Sequence, residues 1–172
     1  MTFTFPWHYS FPPFFTLQPH AETRGKQLAA WRSLILDYCQ ANGITSFDVQ
    51  EISGTELFYN KEIKRKLTGE ALAAVLEDLK AHGNLEWMDK AKRRCHIYWR
   101  TPDQWGQLIY TFVKDHGMQN TVCTFYELTE GEDTQGQPFH NLDQELLIKA
   151  LQTLELQKRA EIFGGDEGVK FF

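Results

Sequence analysis

Apolar residues recur along the chain with a helical period, and the pattern is written twice. Between Lys26 and Gly43, the residues Leu28, Trp31, Leu34, Ile35 and Tyr38 form one stripe, the spacing of a helix with a single buried face. Gly43 stands where a left-handed residue would end that helix. A shift of 74 residues converts Trp31, Leu34, Ile35, Tyr38 and Gly43 into Trp105, Leu108, Ile109, Phe112 and Gly117. The second copy also carries a start signal: Thr101 as N-cap, Pro102 at the first helical position, and Gln104 to complete a capping box.

The following elements repeat too. Phe47-Asp48-Val49 alternates as a short strand ahead of Glu51-Ile52, and its counterpart is Cys123-Thr124-Phe125 ahead of Glu127-Leu128. A second helical stripe, Leu72, Val75, Leu76 and Leu79 within Thr68 to His82, returns as Leu147, Ala150, Leu151 and Leu154 within Asn141 to Arg159. Asn141 with Gln144 gives a capping-box signature for the latter. Each long helix is followed by a hairpin: Leu85 to Met88 with Cys95 to Trp99, then Ala160 to Phe163 with Val169 to Phe172. Helix, short strand, short helix, helix, hairpin is the order of a winged helix. The expected fold is therefore α+β, mainly helical: two tandem winged-helix domains, at 21–100 and 101–172, behind a distinct segment at 1–20.

Composition narrows the function. Apolar residues make up 42% and aromatic residues 14% of the 172, which suffices for real cores. No apolar run approaches the roughly 20 residues of a membrane span. The N-terminus has no cationic start, so no signal peptide is expected. Cys39, Cys95 and Cys123 are odd in number and far apart, which reads as free buried thiols in a cytoplasmic protein. The net charge of −5 is uneven: residues 1–100 hold 13 cations against 11 acids, and residues 101–172 hold 5 against 12. An acidic second half repels phosphate backbones and attracts a basic partner.

Candidate chemistry is sparse. The six histidines are scattered, no His or Cys pairing has metal-ligand spacing, and Cys95-His96 point to opposite faces of a strand. No Walker loop or nucleophile elbow occurs. Gly164-Gly165-Asp166-Glu167-Gly168 shares letters with the GGDEF signature of cyclic-dinucleotide synthases, but a glycine-rich turn between two strands accounts for it. No catalytic, cofactor or metal residues are expected, and the chain reads as non-enzymatic. A nucleic-acid-binding transcription regulator is the alternative for tandem winged helices. Against it, the helices that would enter a groove begin with Glu70 in one copy and Asp143 and Glu145 in the other. The cationic run Lys90-Ala91-Lys92-Arg93-Arg94 is either a solvated hairpin tip or an anion contact.

The first twenty residues differ from the rest. Phe3, Phe5, Trp7, Tyr9, Phe11, Phe14 and Phe15 are interleaved with Pro6, Pro12, Pro13 and Pro19. The prolines predict an extended, polyproline-like path. Burying one Phe is worth about 2 kcal/mol, so the segment has to dock on something. Two readings stay open: it folds over its own first domain, or Pro12-Pro13-Phe14-Phe15 inserts into another subunit. The order Pro-Pro-x-Phe also lies close to a WW-domain ligand, without the tyrosine hydroxyl.

Several ordered blocks carry a family resemblance: 12–19, 26–31, 83–90, Tyr126 to Thr134, and the terminal Gly168 to Phe172. Together they resemble the small two-copy subunit family of the ESCRT-II complex, in its animal forms. The resemblance implies an adaptor in endosomal sorting of ubiquitinated membrane cargo into multivesicular bodies. It further implies that Pro12, Pro13, Phe14 and Phe15 dock in apolar pockets of the two larger ESCRT-II subunits. The second winged helix would recruit an ESCRT-III subunit whose basic N-terminal helix suits the acidic half, with Glu127, Glu130, Asp143 and Glu145 as candidate contacts. Such a chain would be cytoplasmic, recruited to endosomal membrane, with indirect membrane contact only and no nucleic acid. A homodimer of the isolated chain is left open.

Overall fold

In the computed structural model, which describes residues 3–165 and 167–172, the doubled pattern becomes two units, one ending at Trp99 and one starting at Arg100. The first begins with two 3-10 turns, Trp7–Ser10 and Pro12–Phe15, ahead of the helix Ala21–Ala41 (α1). Then follow Ser46–Asp48 (β1), Val49–Ser53 (α2), a hairpin of Tyr59–Asn60 (β2) and Arg65–Lys66 (β3), Gly69–Ala81 (α3), Leu85–Trp87 (β4) and Arg94–Ile97 (β5). The second unit runs Pro102–Asp115 (α4), Val122–Thr124 (β6), Phe125–Thr129 (α5), a 3-10 turn Glu132–Thr134, Gln144–Leu156 (α6), Ala160–Phe163 (β7) and Gly168–Phe171 (β8).

Each unit closes its helices with an antiparallel three-stranded sheet, in the order β1-β5-β4 and β6-β8-β7. Phe47 pairs with Cys95 and Cys95 with Trp87; the equivalent row is Cys123, Val169 and Ile162. The inward residues of these rows meet the predicted helix stripes, and Trp31, Ile35, Leu79, Trp105, Ile109 and Leu151 are all buried.

Local chemistry sets the element ends. Thr68 accepts from the Ala71 N–H at 3.2 Å to cap α3, and Asp48 accepts from the Gln50 and Glu51 N–H groups at 2.9 and 3.2 Å to cap α2. Thr101 and Gln104 form the expected reciprocal box, with bonds of 3.3 and 2.8 Å. Gly43 and Gly117 sit just past α1 and α4 with φ of 65° and 64°.

Four features depart from the sequence reading. The prolines at 12 and 13 open a 3-10 turn instead of an extended path, because the first positions of a helical turn need no N–H donor. α1 starts at Ala21, ahead of Lys26. Asp143, not Asn141, caps α6 by accepting from the Leu146 N–H at 3.2 Å. Asn141 has φ of 63°, a left-handed turn residue, whereas an N-cap has extended backbone. The β2–β3 hairpin escaped notice because two-residue strands show no alternation. Of the glycine-rich turn between β7 and β8, Gly164 and Gly165 have φ of 69° and 66°, and Asp166 lies outside the described residues.

Packing requires a glycine at position 106 in α4. A methyl on Gly106 in α4 would stand 2.8 Å from the Ala150 carbonyl oxygen and 2.6 Å from Thr153 Oγ1 in α6. Gly106→Ala gains about 1 kcal/mol of helix propensity but overpacks against a backbone atom, at a cost of about 1–3 kcal/mol. Denaturant unfolding is expected to show a net loss of stability; a neutral or stabilised variant would mean that α4 and α6 can separate freely.

Candidate partner-docking site

The N-terminal segment is bound to its own unit by two rings and a set of carbonyls. Phe14 stacks on Trp31 at 4.2 Å with the planes 4° apart, and Phe15 meets the same indole edge-on at 5.5 Å. Both are buried, at 5% and 1% exposure. Trp31 Nε1 donates to the Phe14 carbonyl at 2.9 Å. The buried Gln27 amide donates to the carbonyls of Phe14 and Thr16 at 3.0 and 2.8 Å, and its oxygen accepts from the Gln18 N–H at 3.1 Å. On the other side the Thr68 N–H donates to the Phe15 carbonyl at 3.3 Å. A segment with few internal ladder bonds thus has its carbonyls taken up by α1 and by the residue that caps α3.

The preceding turn is held less deeply. Phe5 stacks on Tyr9 at 3.9 Å, and Asn60 Nδ2 donates to the Tyr9 carbonyl at 2.7 Å. The Tyr9 hydroxyl donates to the Glu56 carbonyl, and the Tyr38 hydroxyl donates to Glu56 Oε1 at 3.1 Å. Burial, helped by the Glu56 carboxylate, pushes both phenols up to about 12, so they remain neutral donors.

These contacts sort the predicted residues. Phe14 and Phe15 take the own-core packing that was one of the two readings open from sequence. Pro12 and Pro13 face outward, with Trp7 at 70% and Phe11 at 49% exposure and their rings 5.8 Å apart. The outward face of the segment is therefore a ridge of two aromatic rings and two prolines, pinned from below. Trp7 and Phe11 are the members that sequence reasoning did not single out; only burial separates the outward rings from the anchoring ones.

In the second unit the four candidate acids do not converge. Glu127 completes a capping box, accepting from the Thr124 N–H at 3.1 Å, and Asp143 is the cap of α6. Glu145 stands in the first turn of α6. Only Glu130 lines a concave pocket of about 540 Å³, with Tyr126, Leu142, Gln144, Leu147 and Glu167. Tyr126 is 66% exposed at its edge. Glu167 was not foreseen, being read only as part of a glycine-rich turn.

The cationic β4–β5 turn is partly neutralised. Lys92 pairs with Glu77 at 2.8 Å, and Arg93 with Asp48 at 2.9 Å. The Arg93 guanidinium and the cap bonds hold the Asp48 carboxyl below its usual range. Burial raises the thiols of Cys39 and Cys95 to about 12. No described helix is long and apolar enough to cross a membrane.

Comparison with known proteins gives a consistent picture. Residues 8–143 match the family described as ESCRT-II complex subunit. Vacuolar protein-sorting-associated protein 25 of Xenopus laevis is 51% identical over 174 residues, covering 100% of both chains. The solved structure of subunit VPS25 of the endosomal trafficking complex ESCRT-II superposes with a TM-score of 0.85 at 30% identity, over 98% of each chain. A second solved structure, of endosomal complex ESCRT-II (VPS22/VPS25/VPS36), gives 0.81 at 30% identity, over 96% of this chain and 98% of that one.

The split between anchor and ridge is testable by stability. Phe14→Ala empties a site against Trp31 and is expected to cost about 3–5 kcal/mol, whereas Trp7→Ala is expected to stay within about 0.5 kcal/mol of wild type. Denaturant unfolding monitored by circular dichroism reads both. Equal effects would mean that the two rings are not differently placed.

Proposed function

The chain belongs to the ESCRT-II complex subunit family, and from that premise we propose that it is the adaptor which joins the larger subunits of this endosomal trafficking complex to an ESCRT-III subunit. Each unit is read as a winged helix, on the strength of the repeated order and the β1-β5-β4 and β6-β8-β7 sheets. The division into a docking segment 1–20 and domains 21–100 and 101–172 goes with that reading. The adaptor is non-enzymatic, cytoplasmic, and brought to the endosome by its partners.

The observation that carries the proposal is the pinned ridge. Pro12-Pro13-Phe14-Phe15 is held in one conformation by Trp31 and Gln27, so that Trp7, Phe11, Pro12 and Pro13 are offered already ordered. Preordering lowers the entropic cost of binding, and exposed Trp and Phe are the side chains that dominate interface energies. The occupants proposed for this ridge are subunits of the VPS22 and VPS36 type, the companions of VPS25 in the solved complex. Phe14 and Phe15 act in docking by fixing the ridge from beneath.

The pocket between α5 and α6 supports the second half of the proposal. It combines the exposed Tyr126 and the apolar Leu142 and Leu147 with the acids Glu130 and Glu167. That is the chemistry to receive a basic amphipathic helix, and an ESCRT-III subunit is the partner assigned to it. The nucleic-acid alternative is not favoured: the acids at the start of α6 would face phosphates, and half of the basic turn is already paired.

Two variants separate the halves. Trp7→Ala with Phe11→Ala is expected to weaken binding to purified VPS22 and VPS36 about tenfold or more, with unchanged circular dichroism and ESCRT-III binding. Tyr126→Ala with Glu130→Lys is expected to do the reverse. Calorimetric titration of each variant against each partner gives the answer, and undiminished binding by a folded variant removes the corresponding half.

A further inference from the structure

The hairpin missed by periodicity lies against the segment that carries the ridge. Lys61–Lys66 holds four cations, Lys61, Lys64, Arg65 and Lys66, and one acid, Glu62. All four cations are exposed, and none forms an ion pair among the described residues. The β4–β5 turn has a similar cation density, yet there Lys92 and Arg93 are matched by Glu77 and Asp48 of the same unit. The contrast marks Lys61–Lys66 as the basic element whose charge the fold leaves unanswered.

Its position is fixed by the segment. Asn60 Nδ2 in β2 donates to the Tyr9 carbonyl at 2.7 Å, the Tyr9 hydroxyl reaches the Tyr59 carbonyl at 3.4 Å, and the residue pair after β3 is tied by Thr68 N–H to Phe15. Asn60 and Arg65 are cross-strand partners, and such partners share a face of the ribbon. Arg65 thus stands on the face that Asn60 turns toward the segment. A partner that closes over Trp7, Phe11, Pro12 and Pro13 brings its rim toward Arg65, with Lys64 and Lys66 flanking it along the chain. Desolvating those cations without counter-charges would oppose the apolar contact beside them.

We propose that the Lys61–Lys66 hairpin is the electrostatic part of the docking surface, and that the groove of the large ESCRT-II subunit which takes the ridge is rimmed by carboxylates. This rests on the docking reading given above. The ridge supplies the apolar contact, and the hairpin supplies orientation and association rate, because opposite charges attract across a screening length of about 10 Å at 0.1 M salt.

The test compares wild type, the ridge variant Trp7→Ala with Phe11→Ala, and the triple variant Lys64→Glu, Arg65→Glu, Lys66→Glu. Each is titrated against purified VPS22 and VPS36 at about 50 and about 300 mM salt, concentrations that bracket the change in screening. Wild-type affinity is expected to fall with salt. The triple variant is expected to bind about tenfold or more weakly at low salt, with most of the salt dependence gone and circular dichroism unchanged. If it matches wild type at both salts while the ridge variant loses binding, the docking reading stands and the acidic rim is refuted. If neither variant changes binding, both fall. Loss of binding to phosphatidylserine vesicles with unchanged subunit affinity would assign the hairpin to a membrane and overturn the proposal.

Discussion

The stacking of Phe14 on Trp31 is the contact on which the working surface depends. Trp31 comes from the buried stripe of α1, so the same side chain closes the core and receives the segment. Its indole N–H and the Gln27 amide take up the carbonyls of Phe14 and Thr16, which would otherwise be left unpaired beside an apolar floor. A proline-rich stretch with no ladder of its own becomes ordered because side chains of α1 stand in for one. Everything outward of Phe14, including the ridge and its place beside the β2–β3 hairpin, inherits its position from that anchor.

The second unit shows what the anchor adds. Its counterpart of Trp31 is Trp105, equally buried, and there the Arg100 guanidinium lies 5.0 Å from the ring. The two copies therefore cover the same tryptophan differently, one with an aromatic segment and one with a cation from the preceding residue stretch. The first copy gains an exposed apolar ridge by this means. The second instead carries its concavity between α5 and α6, edged by Tyr126 and acids. The two units share a scaffold and differ in the surfaces they present.

The helices and sheets were legible because their signals are periodic or chemical: stripes at helical spacing, Thr101 and Gln104 as caps, and Gly43 and Gly117 as stops. Asn141 misled because Asn serves equally as a cap and as a left-handed turn residue, and only the backbone angle distinguishes them. The hairpin at β2 and β3 was too short to alternate. For the candidate site, the sequence marks out residues 1–20 but not their inward and outward faces. Alternation of Pro with Phe has no fixed period, so which ring meets Trp31 is decided by the packing of α1 and α3, not by spacing. The acids of the second unit were chosen by charge alone, and capping had already claimed Glu127 and Asp143.

The most direct test of the central claim is amide hydrogen exchange across residues 7–18 of the isolated chain and of its complex with VPS22 and VPS36. The N–H groups of Phe14, Thr16 and Gln18 donate to Phe11, Pro13 and Gln27 within the free chain, so they are expected to be protected before any partner is added. Protection at Trp7 is expected to rise only in the complex. Rapid exchange at Phe14, Thr16 and Gln18 in the isolated chain would contradict the account, because it would mean that partners, not Trp31, order the segment.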